Sequence, residues 1–490
     1  MRLILRNCRA YTSFSPPRIC STVEIEDGVI TSVGVEAYDH GGYHVLDLGG
    51  KTVLPAFTDC HIHLTELALQ SDILNLRGIG SKHMILDAVS AARDRQFIYG
   101  VGWEQDKLDS IPIAEELEKA SGGKPVLLER ICGHVGLASM SALRLLGPNL
   151  NDSRLVDRDA HGRPIGLVRE EALESLRRLV PSPPPDHITR RLIETQKLLL
   201  SYGLTRLHVI VMNRIHLEAL EAMAASGAFE MDILCYVTPD MLDIVGKLHP
   251  SIRIAGVKVF VDGSLGARTA ALRAQYHDGS GQGILRHGRD YITEILSICH
   301  ERGVQAAFHA IGDEAIFTVL DAVESYGGFG GVRIEHASVM DDEMIGRAAR
   351  LGVVLSVQPM FAVSDTWLAD RLGDRVWMCY RWKSMLSAGC LVCGGSDAPV
   401  EDPNPLLGVW SAVAGHRNVS ERLDRGQALQ LYTSSAARAT QDENRRGSIG
   451  VGQTADLVVL DRDPFLTEAD SLKNIRVVMT IRRGQVVYGG

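Results

Sequence analysis

Eight apolar, β-branched runs punctuate the middle of this chain, and the helical segments between them leave few folds open. They fall near residues 53–59, 204–211, 232–238, 254–261, 304–310, 332–337, 353–358 and 391–396. Such runs alternating with helices are the pattern of parallel βα units, an α/β arrangement. Eight of them predict a (β/α)8 barrel, in which functional groups gather at the C-terminal ends of the strands. Residues 60–203 separate the first two runs, far more than one crossover needs, so a large insertion is expected at 75–200. Pro181-Ser182-Pro183-Pro184-Pro185, with Asp186 as an N-cap and a helix to about Tyr202, marks the return to the barrel.

Both ends of the chain read as short strands. Val23-Glu24-Ile25-Glu26 and Val29-Ile30-Thr31-Ser32-Val33 flank Asp27-Gly28, a dipeptide suited to a tight hairpin. Val477-Val478-Met479-Thr480-Ile481 and Gln485-Val486-Val487-Tyr488 turn likewise at Arg483-Gly484. Neither end has enough residues for a core of its own. The expectation is one small β-sandwich built from 1–52 and 440–490, around a barrel domain at 53–439.

Composition does not divert this reading. The hydrophobic fraction of 45% supports a sizeable core, and a net charge of -9 without a long basic run gives no footprint for nucleic acid. No stretch approaches a membrane span, and the first residues lack the apolar core of a secretory signal. Nine cysteines, an odd number, do not suggest a disulfide framework. Cys390-Leu391-Val392-Cys393 matches CxxC, but its apolar setting favours two buried thiols. The expected setting is a reducing cytoplasm, and the expected partner a small-molecule substrate. A homo-oligomer is compatible with the sequence, but no interface is identified.

Asp59-Cys60-His61-Ile62-His63 follows the first run. Side chains two apart on a strand project to the same side, so both imidazoles can reach one point in the barrel mouth. A His-x-His occurs often by chance. Here the fifth, sixth and eighth runs also end in metal-competent groups, His309, His336 and Asp397, and imidazole and carboxylate suit zinc and related divalent metals. The fourth run sets Lys258 among apolar neighbours. Burial drives such an amine toward neutrality. Two readings stay open: a lysine that reaches the strand end or pairs with Asp262, or an amine that has reacted with carbon dioxide to give an anionic carbamate.

These residues, in this order, resemble the amidohydrolase superfamily. Gly100-Val101-Gly102-Trp103-Glu104, Gly133-His134, the segment Lys258-Val259-Phe260-Val261-Asp262-Gly263-Ser264-Leu265-Gly266-Ala267-Arg268-Thr269, His309-Ala310-Ile311-Gly312-Asp313 and Gly395-Ser396-Asp397-Ala398-Pro399-Val400 more narrowly resemble amidohydrolase family 3, which includes N-substituted formamide deformylase-like enzymes. The resemblance implies a split β-sandwich around the barrel and a site for one or two divalent metals, zinc first, with iron or manganese as alternatives. His61, His63 and Asp397 would hold the first metal, His309 and His336 the second, and carboxylated Lys258 would bridge them. The implied reaction is hydrolysis of a C–N bond in an amide, N-acyl or cyclic amide substrate by a metal-bridging hydroxide. Asp397 would act as general base and then general acid, with Lys258 supporting the metals. Trp103, His134, Asp262 and Arg268 fall in loops or strand ends that can line the mouth and contact substrate, Trp103 by stacking on a flat group, with a packing or salt-bridge role the equal alternative for each. Two rivals are a mononuclear deaminase of the same superfamily, against which Lys258 argues, and a barrel that has lost catalysis and serves as an assembly protein, against which six filled ligand positions argue.

Overall fold

Hydrogen bonding between strands far apart in sequence organises the computed structural model, which describes residues 2–34, 42–130, 135–147, 155–181, 183–244, 251–279, 281–328 and 330–489. The chain divides into two compact units, one comprising 1–68 and 185–490, the other 69–184.

The first unit contains the barrel. Its strands are β1 (Phe57–Ile62), β2 (Leu204–Val211), β3 (Asp232–Val237), β4 (Ile252–Phe260), β5 (Gln305–Ala310), β6 (Val332–His336), β7 (Val354–Val357) and β8 (Leu391–Gly394), parallel and in sequential order. Helices Arg214–Ala225, Arg289–Arg302, Asp313–Tyr326 and Asp342–Leu351 lie between successive strands. Asn213 and Asp341 cap two of them by accepting from the backbone N–H groups of His216 and Met344. The β8–β1 seam is closed just beyond the strand ends: Asp397 N donates to His61 O at 2.7 Å and His63 N to Ala398 O at 2.9 Å. Gly395 permits this approach, since a Cβ there would sit 2.5 Å from His61 N.

The terminal strands of the same unit join as expected from both ends of the chain. Strands Arg2–Phe14, Pro17–Glu26, Val29–Gly34, His44–Asp47, Thr52–Pro55, Leu457–Leu460, Val477–Arg482 and Gln485–Gly489 are bonded into one continuous sheet. Both two-residue turns are left-handed at each position, with φ of 49° and 82° at Asp27 and Gly28, and 47° and 76° at Arg483 and Gly484. That geometry matches the twist of an antiparallel pair. Leu3, Leu5, Val23, Ile25, Val53, Leu457, Val459 and Ile481 form one buried cluster.

Two expected boundaries shift. Residues 53–55, read as the start of the first barrel strand, belong to Thr52–Pro55, which pairs with Leu457–Leu460; the barrel begins at Phe57. The insertion, bounded at 75–200 by sequence, spans 69–184, so helix Pro185–Ser201, read as the return to the barrel, belongs wholly to the barrel unit.

The insertion, 69–184, is a mixed sheet ordered Val156–Arg158, Pro164–Arg169, Val135–Ala138, Val126–Arg130, Ile98–Trp103 and Leu74–Asn75. It has its own apolar clusters, one around Leu127 and Leu173 and one around Ile98 and Leu128. No helix among the described residues is long and apolar enough to cross a membrane.

Candidate metal centre

His61 on β1 and His63 just after it converge as their spacing predicts. His61 Nε2 lies 3.4 Å and His63 Nε2 3.3 Å from the same oxygen, Asp397 Oδ1. These are the described His, Cys, Asp and Glu side chains whose donor atoms gather within 4.8 Å of one another in a group of three. Lys258, fully buried on β4, brings its Nζ to 3.5 Å from His61 Nε2. The His336 ring lies 4.9 Å from that of His61 and 4.5 Å from that of His309. All six expected metal-ligating residues therefore meet at the C-terminal ends of β1, β4, β5, β6 and β8.

Three imidazoles have one nitrogen committed. His61 Nδ1 is 2.5 Å from Glu335 Oε2, His309 Nε2 is 3.0 Å from Gly263 O, and His336 Nδ1 is 2.7 Å from Gln358 Oε1. Each partner is an oxygen that accepts, so the ring proton sits on the named nitrogen. The other nitrogen keeps its lone pair for a metal.

A profile of the amidohydrolase family matches residues 44–488. The chain belongs to the amidohydrolase family. It is 33% identical to the YtcJ protein of Bacillus subtilis, over 100% of this chain and 99% of that one. It is 26% identical to an N-substituted formamide deformylase of Arthrobacter pascens, over 99% and 98%. A metal-dependent hydrolase of Pyrococcus furiosus shares its fold, with a TM-score of 0.84 and 35% identity over 95% of this chain and all of that one.

Electrostatics in this amidohydrolase suit a metal. Burial pushes His61 down to about 3 and His336 down to about 4, and holds His309 well below its ordinary value, so these imidazoles stay neutral, the ligating form. Burial also works to raise Asp397, but the hydrogen bond from His63 and the neighbouring imidazoles outweigh it and keep the carboxylate ionised. Burial lowers Lys258 to about 8. His336 and Asp397 adopt left-handed backbone, with φ of 76° and 57°. Non-glycine residues there are strained by about 1 to 3 kcal/mol each, and such strain concentrates at functional sites.

The expected substrate contacts fare differently from the ligands. Trp103 is completely buried in the insertion core and donates its indole N–H to Leu128 O at 2.9 Å, so its ring is a packing group with no face free for stacking. Asp262 is also buried. It accepts from the backbone N–H groups of Ala271, Ile311 and Gly312 at 2.8–3.1 Å and lies 3.6 Å from His309 Nε2, tying the segments after β4 and β5 together beside a ligand. Arg268 is held at 2.7 Å by Asp278, which also binds Arg371 at 2.9 Å. His134 lies outside the described residues.

Sequence reasoning missed Glu335, Asp59 and Gln358. Glu335 is fully buried; Arg333, His61 and Lys258 overcome the effect of burial and keep its carboxylate ionised. Asp59 accepts from the backbone N–H groups of His61 and Ser396 and from Ser396 Oγ, across the β1–β8 seam. Asp59 and Glu335 stand within two residues of His61 and His336, in Asp-Cys-His-Ile-His and Arg-Ile-Glu-His, while Gln358 follows the end of β7, far from any of them in sequence. Proximity to the motifs was the available signal for Asp59 and Glu335, and a polar residue closing the seventh apolar run was the signal for Gln358.

Proposed function

We propose that this amidohydrolase is a binuclear metal enzyme that hydrolyses C–N bonds of small N-substituted or cyclic amides. The observation that carries the reading is the convergence of His61 and His63 on Asp397, with the buried amine of Lys258 beside them. His61, His63 and Asp397 fit one divalent metal, zinc first by the character of the donors. His309 and His336 fit a second, each offering one uncommitted nitrogen. Lys258, with its proton affinity lowered by burial to about 8, loses its proton readily; the free amine can add to carbon dioxide and lose a second proton, giving a carbamate whose single negative charge, shared by two oxygens, would suit a site between two divalent metals.

When bound, such metals polarise a carbonyl oxygen and lower the pKa of water toward about 7. The residues of the chain do the rest. Asp397, ionised and next to both β1 histidines, accepts the proton of the attacking water and returns it to the leaving nitrogen. Glu335 and Gln358 keep His61 and His336 in the tautomers that ligate. The deformylase relative makes N-substituted formamides the first substrates to assay.

The test is amine release from N-substituted formamides, N-acyl amines and cyclic amides by metal-reconstituted protein. Turnover that requires metal and disappears in Asp397→Asn supports the reading. A metal-loaded protein that cleaves none of the three classes contradicts it, and release of ammonia from an amino-substituted ring in its place would establish the deaminase.

A further inference from the structure

We propose that Arg333 is a positioning residue that sets metal affinity by aiming Glu335 at His61 and fixing the backbone from which His61 projects. The proposal rests on the metal-centre reading above.

Arg333 lies on β6, two residues before Glu335, so both side chains share one face of the strand. It is completely buried. An arginine has five N–H donors in a rigid fork and no acceptor, and here the contacts account for all five. Nε donates to Glu335 Oε1 at 2.5 Å and Nη2 to Glu335 Oε2 at 3.1 Å. The second Nη2 donor reaches Cys60 O at 2.7 Å, the carbonyl directly before His61. Nη1 serves the Tyr236 hydroxyl at 2.8 Å and His208 Nδ1 at 3.1 Å, and the guanidinium lies 4.5 Å from the Tyr236 ring centroid. One side chain thus fastens β1, β2, β3 and β6 together inside the barrel.

Bonding to Glu335 is two-pronged and planar, so the carboxylate cannot rotate without breaking one of two charge-assisted bonds. Its Oε2 is the atom 2.5 Å from His61 Nδ1. Rotation of Glu335 would release the imidazole, and a shift of the Cys60 carbonyl would move its backbone. Both routes from Arg333 end on the same ligand. Lysine keeps the charge but is a point donor without the fork, so it cannot hold carboxylate, carbonyl, hydroxyl and imidazole together.

The test compares metal affinity, by competition with a chromophoric zinc chelator, and the visible spectrum of the cobalt(II)-loaded protein. In folded Arg333→Lys the zinc dissociation constant rises about 10- to 100-fold and the cobalt bands shift. Tyr236→Phe, which removes a partner on the side of the fork away from Glu335, keeps affinity and spectrum close to wild type. Should Arg333→Lys not fold, Arg333→Gln is the second variant, with the same expectation. Wild-type affinity and spectrum in a folded Arg333 variant overturn the proposal alone, as does an equal loss in Tyr236→Phe, which would mark a general effect of core disruption. A wild-type protein that takes up no metal overturns the metal-centre reading and this proposal with it.

Discussion

Asp397 carries two duties that pull on the same oxygens. It faces both His61 and His63, and the proposed chemistry also asks it to move a proton. Replacing it by asparagine keeps the shape and removes the basicity. The expected result is a fall in kcat of at least about 10²-fold with an unchanged far-UV circular dichroism spectrum, measured on the substrate the amide screen identifies. The proposed ligands were legible because His61, His63, His309, His336 and Asp397 each stand at or just past the end of an apolar run, a defined place in a barrel, and Lys258 is a lone charge inside another. Glu335 was not. Successive side chains on a strand alternate faces, so a period-two reading assigns either Glu335 or His336 to the site. The left-handed backbone at His336 breaks the alternation and lets both serve it. Between stacking on substrate and packing, the sequence could not choose for Trp103. An aromatic ring near a glycine-rich turn looks available, but which rings are buried depends on neighbours such as Leu128 that only the folded insertion supplies.

Between elements, a buried carboxylate links β3 to the terminal sheet and the segment before it. Asp232 at the start of β3 meets Arg482 and Arg483 at 2.8 and 2.9 Å and Arg446 at 2.5 Å. Burial works to raise its carboxyl, but the three guanidinium groups outweigh it and hold it below its usual value. A carboxyl depressed in the folded state contributes stability that is present above the unfolded value of about 3.9 and is lost as pH falls through the folded value. Asp232→Asn is therefore expected to lower unfolding stability at pH 7 by on the order of 3 kcal/mol. The gap from wild type should close as the pH falls below about 4, as read from denaturant melts across pH. The barrel strands were legible as elements because burial on both faces makes them continuously apolar. The start of the first was not: Val53-Leu54-Pro55 is equally apolar, and its assignment to the terminal sheet depends on pairing with residues four hundred positions away.

At the scale of the whole molecule, the two ends of the chain meet in one sheet while the barrel between them carries the residues proposed to hold metal. Their partnership was legible because neither end could bury its own apolar face. Continuity of that sheet was not, since register among its eight strands is set by contacts rather than by local pattern. Because the proposed ligands come from five barrel strands, bound metal should stabilise the folded barrel against its unfolded chain. Chelation is expected to lower the melting temperature, and adding zinc at about 1,000 times its dissociation constant should restore about 4 kcal/mol, as followed by scanning calorimetry. The central claim is a pair of metals joined through Lys258, and elemental analysis of protein purified without chelator, beside a Lys258→Ala variant, tests it most directly. About two equivalents of divalent metal per chain, falling to about one or none in the variant, is the predicted result; one equivalent that survives the loss of Lys258, or no metal in either protein, would contradict it.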